Sequence, residues 1–151
     1  MIKILKVIAT IALTALIGIQ FIPTSRNQSD VVPVTDFINN YNPPKEVASI
    51  LRTSCYDCHS NNTNYPWYNK IQPVAWYLED HVSHGKEEFN FSEFGDYSDR
   101  RKKSKLKSLL RQVEQDEMPL DPYTLIHSDA KISESEKELL LGWVNKVLES
   151  I

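Results

Sequence analysis

Cys55-Tyr56-Asp57-Cys58-His59 sets two thiols and an imidazole side by side, and the chain has no other cysteine. Two residues between the cysteines let both sulfurs reach one edge of a planar cofactor. A histidine directly after the second can swing beneath that plane to a metal. This spacing is the attachment signature of a c-type haem, whose two vinyl groups take the thiols and whose iron takes the imidazole. The spacing therefore predicts one covalent haem c, with Cys55 and Cys58 as thioether anchors and His59 as the proximal iron ligand. Two other chemistries compete for these residues. A non-haem dithiol protein of the thioredoxin kind would sit beside βαβ patterning, which is missing here. A metal site using both cysteines would have to borrow His81, His84 or His127. A disulfide scaffold is excluded, because a lone Cys-x-x-Cys closes too small a loop to staple a fold.

The second axial position decides between electron transfer and ligand chemistry. Met118 is the leading candidate for the distal iron ligand. It lies at a helix end beside acidic residues, a poor place for simple packing, and Pro119 stiffens the loop that presents its thioether. His81, one helical turn after Tyr77, is the alternative distal ligand. Tyr65, Trp67 and Trp76, with Tyr68 and Tyr77, form a dense aromatic group soon after the motif, and a haem-sized plate needs such walls. We therefore expect Tyr65, Trp67 and Trp76 to line the cofactor pocket. His127 is read as a loop residue able to reach a haem propionate. Asn61-Asn62-Thr63 and Asn90-Phe91-Ser92 fit the glycosylation sequon, a match too cheap to weigh.

The elements that must position these groups read as helices. Pro43-Pro44 opens a short one whose Val47, Ile50 and Leu51 share a stripe leading into the cysteine motif. Pro73 starts a second, through Trp76, Tyr77 and His81, with Gly85 as a stop. Phe89 to Tyr97 reads as a packed aromatic loop. A third helix is predicted from about Asp99 to Glu117, with Leu106, Leu109, Leu110 and Val113 on its apolar side. Ser133 and Glu136 form a capping box for a last helix carrying Leu139, Leu140, Trp143, Val144, Val147 and Leu148. No segment alternates like a strand, so the fold class is all-α. The helix before the motif and the last helix should pack together, Ile50 and Leu51 against Trp143 and Val147.

Ahead of this domain, Lys3 and Lys6 precede an apolar run from Val7 to Ile22. Residues 1–22 are just long enough to span a bilayer, and no small-x-small cleavage site follows. We read them as a signal-anchor helix, with export after signal cleavage as the alternative. Both place the remainder across the membrane, since the basic end stays inside. Residues 23–42 read as a tether, docked if at all through Val32, Val34 and Phe37, and residues 43–151 as the haem-binding domain. A net charge of −3 argues against a general nucleic-acid binder. The basic run Arg100-Arg101-Lys102-Lys103, with Lys105 and Lys107, reads as a solvated helix face.

Several stretches together resemble the small haem-binding domain proteins of bacterial envelopes. They are Gln20-Phe21-Ile22-Pro23, Cys55 to Ser60, Tyr65-Pro66-Trp67-Tyr68, Asn90-Phe91-Ser92, and Met118-Pro119 with Tyr123, His127 and Trp143. The resemblance implies a single-haem, cytochrome-c-like helical domain with His59 proximal, and brings no specific role. The resulting expectation is a one-electron carrier, not a catalyst, tethered to the inner membrane in the bacterial periplasm. Its partners would be redox proteins of the envelope and the membrane itself. A haem-based gas or redox sensor, or a peroxidase-like enzyme with an open sixth position, is the rival.

Overall fold

The structure is a computed structural model describing residues 1–29 and 31–151. It is all helical, with no strand among the described residues. The apolar N-terminal run forms α1 (Ile2–Ile19), none of whose residues is buried. It is long and apolar enough to cross a membrane, with a mean hydropathy of 2.1.

The stretch expected to be a tether is partly domain. Asp36 caps α2 (Phe37–Tyr41), accepting hydrogen bonds from the Ile38 and Asn39 amides at 3.0 and 3.4 Å. Phe37 is fully buried, ringed by Phe91, Phe94 and Trp143. Val32 and Val34 remain exposed, so of the three expected docking residues only Phe37 docks. A five-residue helix is too short to show periodicity, which hid it from sequence reading.

The stripe of Val47, Ile50 and Leu51 is the buried face of α3 (Lys45–Ser54), and the motif follows as α4 (Tyr56–His59). A 3-10 turn at Trp67–Lys70 leads into α5 (Val74–Glu88). Gly85 lies within α5 and does not end it. The expected loop after α5 contains a 3-10 helix, Phe91–Asp96, whose Phe91 and Phe94 are buried. Asn90, the first residue of a sequon, caps it by accepting from the Ser92 amide. Its own amide group donates to Asn61 Oδ1, so the sequon serves as a turn.

Ser98 caps α6 (Asp99–Glu114), which stops three residues short of the expected Glu117. Asp116 turns the chain there with a φ of 56° in the left-handed region. A short α7 (Asp121–Ile126), with Pro122 in its first turn, and a 3-10 turn at Ser128–Ala130 follow. The predicted capping box is formed: Ser133 Oγ accepts from the Glu136 amide and Glu136 Oε2 accepts from the Ser133 amide, opening α8 (Glu134–Ser150). Helix α8 packs on α6 and α3. Ile50, Leu51, Trp143 and Val147 belong to one cluster, as the helical stripes require.

Candidate functional site

The motif is held by its neighbours on three sides. Tyr56 points into the core, stacked on Phe91 at 4.9 Å and 10° between planes, and its hydroxyl donates to Asp36 Oδ1 at 3.1 Å. Asp57 points the other way: its Oδ2 accepts from the Tyr123 hydroxyl at 2.8 Å and its Oδ1 from the Asn64 amide at 3.1 Å. Against the third side lies α5, where a Cβ on Gly85 would come 2.7 Å from the Cys58 carbonyl oxygen. Only glycine permits that approach, which is why this helix carries one in its body.

With Tyr56 and Asp57 turned to opposite supports, Cys55, Cys58 and His59 face one cavity of about 390 Å³, the size of a small-molecule or cofactor site. His59 Nδ1 lies 2.9 Å from the Phe89 carbonyl. A carbonyl only accepts, so Nδ1 carries the proton and Nε2 keeps its lone pair for a metal. Burial holds the imidazole below its ordinary pKa, which further favours this neutral form. Burial also pushes the Cys55 thiol up to about 12 and the Cys58 thiol up to about 11. A redox-active dithiol needs the opposite shift, toward the thiolate, so this environment disfavours the thioredoxin-like reading.

Met118 lines the same cavity although it lies about sixty residues along the chain. Its place follows from the end of α6. After the left-handed Asp116, the Glu117 and Met118 amides both donate to the Gln112 carbonyl, at 2.8 and 3.2 Å. Lys137 of α8 pairs with Asp116 and holds that turn. The sequence signals the methionine but not the turn that aims it.

His81 and His84 also line the cavity, on its α5 side. His81 Nδ1 meets the Tyr77 carbonyl at 2.9 Å, leaving its Nε2 as the free nitrogen. His127 does not line the cavity; its Nε2 pairs with the Tyr68 hydroxyl at 2.6 Å. The aromatic expectation needs correction too. Tyr65, Trp67 and Trp76 do not line this cavity. Trp67 and Trp76 are exposed, while Tyr65 donates to Glu79 Oε2 and receives the Asn27 amide. The walls come from Phe89, Phe91, Leu109, Val113, Leu120 and Tyr123 instead. Density of aromatic residues in a sequence does not say which way each ring points.

Among the described residues no three His, Cys, Asp or Glu side chains converge closely enough to hold a bare metal ion. The donors surround a volume, as a planar cofactor with a central metal requires. Two thiols at one wall, a neutral imidazole beside them, a thioether and mostly apolar walls fit a haem. Lys105, which lies 3.5 Å from Glu88 at the polar rim, adds a cation suited to carboxylates.

No curated protein and no solved structure matches the chain. A family model described as a haem-binding domain matches residues 14–146, which include every element around the cavity. The chain belongs to that haem-binding domain family.

Proposed function

We infer that the chain holds one haem covalently and passes single electrons across the cavity rim to redox proteins of a bacterial envelope, without turning over a substrate. The observation that carries this reading is the convergence of Cys55, Cys58, His59 and Met118 on one cavity, with His59 Nδ1 already satisfied by Phe89. Each thiol would add across one vinyl group, its sulfur bonding one carbon and its proton going to the other. No electrons are gained or lost in that addition. His59, through Nε2, and Met118, through its sulfur, would hold the iron. The bound haem supplies the reversible one-electron couple. The protein's part is to fix the ligands, keep water out with Phe89, Phe91, Leu109 and Val113, and set the potential, which Met/His ligation raises relative to bis-His.

Helix α1 supports placing this domain at the periplasmic face of an inner membrane, with α1 retained as its anchor. Its apolar length and exposed surface suit a span, and Lys3 and Lys6 at its start suit the cytoplasmic side.

The test is denaturing gel electrophoresis with a haem-peroxidase stain on protein made in cells able to attach c-type haem. A stained band is expected from the wild type and none from Cys55→Ala/Cys58→Ala. An unstained wild-type band overturns covalent attachment. Carbon monoxide added to the reduced protein then probes the sixth position: a slow or absent spectral change is expected. Prompt binding replaces the carrier reading with a sensor or peroxidase-like one.

A further inference from the structure

The 3-10 turn at Trp67–Lys70 and the first turn of α5 leave Trp67, Ile71, Val74, Trp76 and Tyr77 exposed. Trp67 is 75% exposed and Tyr77 58%. None of the five lines the cavity, and a group of large apolar side chains in solvent marks an interaction surface. This patch lies at the end of α1. Gln20 Nε2 donates to the Gln72 carbonyl at 3.1 Å, and Gln20 Oε1 accepts from the Gln72 amide at 2.9 Å. Gln72 Nε2 in turn donates to the Ile22 carbonyl at 3.2 Å. Val74 to Tyr77 occupies only about 4.5 Å of helix axis. The patch therefore begins within about one turn of the buried Gln72, where the apolar helix is clasped.

We propose that the Trp67–Tyr77 patch rests in the headgroup layer of the same bilayer that α1 crosses, so that its occupant is lipid. The proposal depends on α1 being a membrane span. Helix α1 is 18 residues long, about 27 Å and close to the thickness of a hydrocarbon core, and its only charges, Lys3 and Lys6, lie near its start. Its C-terminal end therefore marks the level of the headgroups. Whatever is hydrogen-bonded to Gln20 and Ile22 stands at that level. Tryptophan and tyrosine are the side chains suited to it, with an apolar ring and a polar tip. Exposed Lys70 among them offers a cation to anionic headgroups. Phe21 and Ile22, also exposed, continue the apolar surface back to the helix. His81 and His84, at the cavity, lie about 10 and 15 Å beyond Val74 along the α5 axis. The contact would thus hold the haem site close above the membrane.

The test uses the full-length, haem-loaded protein in vesicles of phosphatidylethanolamine and phosphatidylglycerol carrying a photoactivatable diazirine lipid, with labelled peptides mapped by mass spectrometry. Label is expected on residues 2–22 and on 65–78, with residues 134–150 of α8 near background. The double variant Trp67→Ser/Tyr77→Ser should lose label at 65–78 several-fold while keeping its label at 2–22 and its visible spectrum. Label on 2–22 with 65–78 at background overturns the proposal and leaves the anchor standing. Undiminished label at 65–78 in the double variant also overturns it, as do crosslinked pairs of chains through 65–78. Absence of label on 2–22 removes the anchor reading and the proposal together.

Discussion

Met118 and His81 face one cavity from different elements, and a single substitution at each separates their roles. With Met118→Ala, the reduced haem protein should bind carbon monoxide promptly, because the thioether proposed as an iron ligand is gone. His81→Ala should leave that response as in the wild type, and visible spectra after mixing check both. A second residue-scale expectation concerns Tyr123, whose hydroxyl donates to Asp57 at 2.8 Å. Tyr123→Phe leaves a half-buried carboxylate oxygen short of a partner, a loss of about 1–3 kcal/mol measurable as a lower urea midpoint. Burial, and then the Asp57 carboxylate, raises the Tyr123 pKa above the ordinary phenol value. The folded state therefore favours the protonated phenol. Its contribution is complete below about pH 10 and drains away as pH rises beyond it. Urea midpoints between pH 8 and 11 should fall more steeply in the wild type than in Tyr123→Phe. That Cys55, Cys58 and His59 face one cavity was legible, because the three are close neighbours in sequence. The Asp57–Tyr123 pair was not, since it joins residues 66 apart.

At the scale of elements, two glycines in helices make opposite demands. Gly142 in α8 has nothing within 4 Å of where a Cβ would stand. Gly142→Ala should stabilise by about 0.5–1 kcal/mol, since it only reduces the freedom of the unfolded chain and improves helix propensity. Gly85→Ala should do the reverse. Its Cβ would meet the Cys58 backbone, which has no flexible end to move, and push α5 off the motif. Overpacking of this kind costs about 1–3 kcal/mol, enough to outweigh the propensity gain. Thermal unfolding of the two variants should shift in opposite directions. The helical periods of α3, α6 and α8 and the Ser133 capping box could be read from the sequence, because each is a repeated or local signal. The early end of α6 could not. It depends on Asp116 adopting a left-handed conformation and on Lys137, from another helix, securing it. Gly85 misled for a related reason: a glycine stops some helices and lets others pack closely, and only the neighbour distinguishes them.

For the molecule as a whole, the boundary between appendage and domain lies earlier than composition suggests. Phe37→Ala should destabilise the domain by about 3–5 kcal/mol, the range for a large aromatic removed from a core. Val34→Ala, at an exposed position, should be close to neutral in the same denaturant titration. The polar composition of residues 23–42 reads as a tether because it averages over Asp36 and Phe37, the two among its described residues that are buried. Asn27 adds to the attachment, donating to the Ser60 carbonyl at 2.8 Å and accepting from Lys86 Nζ at 2.6 Å.

The Gln20–Gln72 clasp also changes what kind of mechanical part this segment is. A flexible leash of twenty residues would let a domain wander over a root-mean-square distance of about 25 Å from its point of attachment. A domain on such a leash meets partners by sweeping a volume, at an effective concentration set by leash length. Here the apolar helix is hydrogen-bonded to the domain at Gln20 and Ile22, and the chain behind it is tied down again at Asn27. The segment acts as a strut with almost no reach. With α1 held in a membrane as proposed, encounters would then come from sideways drift of the whole unit, and lengthening the chain between Ile22 and Asn27 should add no range until the clasp itself is broken.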